Sequence, residues 1–166
     1  SGIAMSSIEK LIAYFGAENT GKTTTLNILI KLLNRHQDFE TLLLDPSLLE
    51  ENSDRYTIFK HLTSGKLIGV ATTGDDAKTT QDNCENFKKD NINIGVTATR
   101  SHGGTTNALT TFMQENKIQK IWWIGASYPT THEEPHFSTN KVYLAEYNNI
   151  MANTLFNAIE VEIKKS

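Results

Sequence analysis

The chain has 166 residues, 38% of them hydrophobic, enough for one compact domain with a real core. Its net charge of −3 lacks the basic balance of a phosphate-backbone binder and disfavours nucleic acid as a partner. No apolar run reaches the roughly 20 residues that cross a bilayer, so no membrane partner is expected. The single cysteine, Cys84, excludes an internal disulfide and fits a reducing cytoplasm.

Residues 1–4 read as an expression remnant, which leaves one domain over 5–166. "LIAYF" (11–15) predicts a buried strand, and 21–36 a helix, with Leu26, Leu29, Ile30 and Leu33 at the helical period. "TLLLD" (41–45) predicts a second strand stopped by Pro46. The stretch 47–65 predicts a partly helical segment ended by Gly65, with Tyr56 and Phe59 packed inward. Residues 66–73 predict a third strand and 76–90 a polar helix, capped by Asp76. Strand four is expected at 92–99, a helix at 105–117, strand five at 120–127 and a long final helix at 138–163. In strand five, Trp122 and Trp123 are expected to face opposite sides, each under a helix. Strands that alternate with helices, and that read as continuous apolar runs, predict an α/β fold. It would be a three-layer α/β/α sandwich around a mainly parallel five-stranded sheet.

"GAENTGKT" (16–23) matches G-x-x-x-x-G-K-[ST] in full, between an expected strand and an expected helix. Gly16 suits a sharp exit from the strand, and Gly21 a close approach of backbone to ligand. The helix that follows offers unpaired N–H groups and a partial positive charge to an anion. Lys22 has the reach for β- and γ-phosphates, and Thr23 offers a hydroxyl to Mg²⁺. On these residues the chain resembles the P-loop NTPase superfamily. The resemblance implies ATP and Mg²⁺ as ligands, with phosphates held by Gly16, Ala17, Glu18, Asn19, Thr20, Gly21, Lys22, Thr23 and Thr24.

Several branches of that superfamily fit poorly. ABC-type ATPases need a helical insertion and an L-S-G-G-Q signature, of which "SHGG" (101–104) is a fragment. The deviant loop type carries an early lysine where Ala17 and Glu18 stand. The guanine reader N-K-x-D is absent, since "NKIQ" (116–119) has no aspartate, and this favours ATP over GTP. An arginine-bearing lid is not expected from a chain with only Arg35, Arg55 and Arg100.

Enzymes of this class also place a strand-end carboxylate near Mg²⁺. Asp75 is favoured over Asp45, by analogy with small folds in which strand three lies beside strand one. Asp45 is then free to act as a base toward a substrate hydroxyl. Strand four runs into "TATRSHGGTT" (97–106), where Arg100 is the candidate for stabilising transferred charge and His102 a weaker candidate base. Arg55 and Tyr56 lie where small kinases recognise an acceptor. "HEEPH" (132–136) matches a zinc-protease pattern, but Pro135 disrupts the helix that chemistry needs. Tyr128 and Pro129 are candidates to flank a base. The sequence thus predicts a Mg²⁺-dependent ATPase or small kinase-like phosphotransferase with catalytic Lys22, Asp45 and Arg100. Its partners would be a nucleotide and a small-molecule or protein acceptor. A nucleotide-controlled switch or assembly protein is the alternative, and a homo-oligomer stays open.

Overall fold

The first strand is a continuous apolar run whose two faces each anchor a layer of helices. In the computed structural model, which describes residues 6–16, 21–43, 54–100, 104–126 and 141–165, β1 (Lys10–Phe15) is buried from Lys10 to Tyr14 and half-buried at Phe15. Ile12 and Tyr14 join one apolar cluster, and Leu11 and Ala13 join another on the opposite face. The chain continues through α1 (Lys22–Arg35), β2 (Phe39–Leu43), β3 (Tyr56–His61), β4 (Leu67–Ala71) and α2 (Ala77–Lys89). It ends with β5 (Ile94–Thr99), α3 (Gly104–Asn116), β6 (Lys120–Gly125) and α4 (Lys141–Lys164). Helices α1 and α4 cover the Ile12 face, while α2 and α3 cover the Leu11 face. No helix among the described residues is long and apolar enough to cross a membrane.

The α/β class holds, but the sheet has six strands among the described residues and is mixed. Its order is β2-β3-β4-β5-β1-β6. Strands β4, β5, β1 and β6 run parallel, whereas β3 is antiparallel to both β2 and β4. The extra strand is β3, inside the stretch where a partial helix is expected. "YTIFKH" alternates as a strand does: Thr57 and Phe59 are fully buried, and Tyr56 and Ile58 pack on the other cluster. Gly65 does end a segment, but as the left-handed residue (φ 76°) of the β3–β4 hairpin rather than as a helix stop. There the His61 N–H donates to the Lys66 carbonyl at 2.8 Å.

Helix α2 sits close to the sheet because two glycines face it. Gly69 and Gly95 are register partners on β4 and β5. A Cβ on Gly95 would lie 2.6 Å from the Phe87 ring and 3.0 Å from Leu11, and one on Gly69 would lie 2.9 Å from the same ring. Gly95→Ala therefore overpacks the core and costs about 1–3 kcal/mol. Urea denaturation checks this, and Phe87→Leu in the same chain should recover part of the loss.

Cys84, on the same helix, is fully buried. That burial pushes its thiol up to about 12, with a smaller push from the Glu85 charge. A thiol-directed disulfide reagent at mildly alkaline pH should therefore leave the native protein unlabelled and modify it once in denaturant. Asp76 caps α2 as expected. The Thr79 N–H, 2.7 Å from its carboxylate, holds that carboxyl below the usual range.

Strand β6 is an edge, and this changes the fate of one tryptophan. Trp122 packs on the α1/α4 cluster. Trp123 turns to the other face, as the period requires, but is 42% exposed and meets Phe15 edge-on at 6.2 Å. No helix buries it among the described residues.

Candidate functional site

The four parallel strands end on one edge, where Phe15 is level with both Thr99 and Gly125. The chain leaves β1 toward α1 on one face and leaves β5 toward α3 on the other, a change of direction at which open α/β sheets commonly bind ligands. Gly16 opens the loop after β1, its N–H donating to the Thr99 carbonyl at 3.1 Å. Ala17, Glu18, Asn19 and Thr20 lie outside the described residues. Gly21 closes the loop in the left-handed region (φ 77°) and leads into α1 without a side-chain cap. A Cβ there would lie 2.6 Å from Asn148 Oδ1 on α4, so both backbone and packing require glycine. Asn148 is buried and also accepts from the Thr25 hydroxyl at 3.1 Å. It ties α4 to the start of α1, and nothing in its sequence neighbourhood marks it.

Lys22 is the first residue of α1 and only 5% exposed. Its ammonium donates to the Gly16 carbonyl at 2.7 Å, spanning the loop from its last turn to its first residue. The first turn of α1 contains no acidic residue. A cation buried at a helix N-terminus works against the helix dipole, and an anion in the loop would reverse that balance. Thr23 and Thr24 follow, both half-buried.

Thr23 turns its hydroxyl to the Thr72 carbonyl at 3.2 Å, which joins the loop helix to the end of β4. The expected adjacency of strands one and three does not hold, because β5 lies between β1 and β4. The chain after β4 nevertheless folds onto the site. Gly74 packs so tightly that a Cβ would lie 1.8 Å from the Ala98 carbonyl oxygen. Asn83 on α2 holds the Thr73 carbonyl at 2.7 Å. Asp75 follows directly and is exposed. Arg100 stands half-buried at the end of β5 on the same edge, its N–H donating to Thr105 Oγ1 at 3.1 Å. Asp45, His102, Tyr128, Pro129 and "HEEPH" lie outside the described residues.

Arg55 is neither on a helix nor on the surface. It is 4% exposed, just before β3, and its guanidinium donates to Asn27 Oδ1 on α1. Tyr56 turns away from the edge, its hydroxyl donating to Asp90 at 2.8 Å, and burial raises that phenol above its ordinary value. Two oxygen donors follow strands that end on this edge, the Thr23 hydroxyl after β1 and the exposed Asp75 carboxylate after β4, and both are hard ligands. No group of three or more His, Cys, Asp and Glu suited to a metal occurs among the described residues. A donor set this small fits Mg²⁺, which takes one or two protein ligands and fills its shell with phosphate and water. Comparison with protein-family models, curated proteins and solved structures gives no match for this chain.

Proposed function

We propose that the chain is a Mg²⁺-dependent, ATP-binding P-loop protein that hydrolyses ATP or passes its γ-phosphoryl group to an acceptor. The observation that carries this reading is Lys22, a cation buried at the uncapped start of α1 and bonded across the loop to Gly16. Loop amides and the helix N-terminus bind the phosphates, and Lys22 exchanges the Gly16 carbonyl for phosphate oxygens. Thr23 and Asp75 would hold Mg²⁺, which when bound neutralises phosphate charge. Arg100 stands on the same edge to meet charge that develops on the transferred group. The guanine reader is missing from "NKIQ", which supports ATP over GTP.

Isothermal titration with ATP, GTP and their non-hydrolysable analogues, each with Mg²⁺, tests the reading. ATP should bind, and more tightly than GTP. If neither nucleotide binds the wild-type protein, the proposal fails.

A further inference from the structure

Thr23 is held from two sides, and both arms meet at one residue. Its carbonyl accepts from Asn27 Nδ2 at 3.0 Å, and its hydroxyl donates to the Thr72 carbonyl at 3.2 Å. The Arg55 guanidinium donates to Asn27 Oδ1. The Arg55 backbone holds Thr72, with its N–H donating to Thr72 Oγ1 at 2.7 Å and its carbonyl accepting from the Thr72 N–H at 2.9 Å. The result is a closed circuit, Thr23–Asn27–Arg55–Thr72, drawn from α1, the start of β3 and the end of β4. Asn27 and Thr72 are 2% and 0% exposed.

A free threonine hydroxyl rotates, and its lone pairs turn with it. Directing the hydrogen at the Thr72 carbonyl leaves the lone pairs of Thr23 Oγ1 for another partner, in a fixed orientation. Such outer hydrogen bonds commonly orient the groups that ligate a metal. A buried guanidinium is also a costly way to tie the start of β3 to α1, since an apolar side chain of similar size would pack there without a desolvation penalty.

We propose that Arg55 is a positioning residue for the cation end of the site. Its guanidinium acts through Asn27 and its backbone through Thr72, and together they fix Thr23 and so set how much Mg²⁺ adds to nucleotide affinity. The inference rests on the P-loop reading above, and it assigns Arg55 to the metal arm rather than to an acceptor.

The test is titration of a non-hydrolysable ATP analogue in excess Mg²⁺ and in EDTA, on the wild type, Arg55→Met, Arg55→Lys and Asn27→Ala. Thermal melting of each variant without ligand accompanies it. Arg55→Met should bind as the wild type does in EDTA, while the gain from Mg²⁺ falls about tenfold to a hundredfold. Arg55→Lys keeps the charge but not the planar fork, and should recover only part of the gain. Asn27→Ala removes the same arm while keeping the guanidinium, and decides the matter if Arg55→Met does not fold. An unchanged Mg²⁺ gain in the folded variants overturns the inference, as does an equal loss in both buffers. Wild-type binding with no Mg²⁺ gain overturns it while leaving the phosphate cradle standing. No wild-type binding in either buffer removes both.

Discussion

Lys22→Ala should lower affinity for Mg·ATP by roughly a hundredfold. A hydrogen bond between charged groups contributes up to about 3 kcal/mol, which is roughly a hundredfold in binding. Lys22 is 5% exposed and begins α1, and its ammonium already reaches across the loop to the Gly16 carbonyl at 2.7 Å. Titration of the variant checks this, with a melting curve to show that it is folded. Wild-type affinity in the folded variant would take away the chief support for a phosphate site. Gly21→Ala should impair binding by another route, since a side chain there is strained at φ 77° and collides with Asn148.

The loop motif was legible because its pattern is local. Gly16, Gly21, Lys22 and Thr23 lie within eight residues, and the flanking strand and helix announce themselves by period. The Arg55 circuit was not legible, because it joins positions 23, 27, 55 and 72 through side-chain bonds that leave no trace in sequence spacing. Strand β3 was missed for a different reason. Tyr56 and Phe59 are three apart, as on a helix face, yet "YTIFKH" also alternates, and six residues are too few for period alone to decide. Gly65 serves either reading, since a helix end and a hairpin turn both use a left-handed residue. The neighbour of β1 and the exposure of Trp123 follow from strand order, and a strand's own residues do not encode its neighbours.

A second large effect lies away from the loop, where β1 begins. Lys10 and Glu162 are 6% and 1% exposed, and their charged groups meet at 2.5 Å. The Lys10 ammonium also donates to the Glu162 backbone carbonyl at 3.0 Å, in the last turn of α4. That position suits a cation, because unpaired carbonyls and the negative end of the dipole gather there. Glu162→Gln leaves the ammonium buried without the Glu162 charge and should cost about 3–5 kcal/mol, as should Lys10→Met by removing the cation that the carboxylate meets. The pair itself need not be a net source of stability, since burying two charges offsets most of their attraction. The double variant Lys10→Met/Glu162→Leu should therefore recover most of the loss, and urea denaturation of the three variants measures it. A double variant as unstable as either single would show that the pair fixes how α4 docks. That outcome would reach the candidate phosphate loop as well, because α4 also carries Asn148, which packs against Gly21 and Thr25 at the other end of β1.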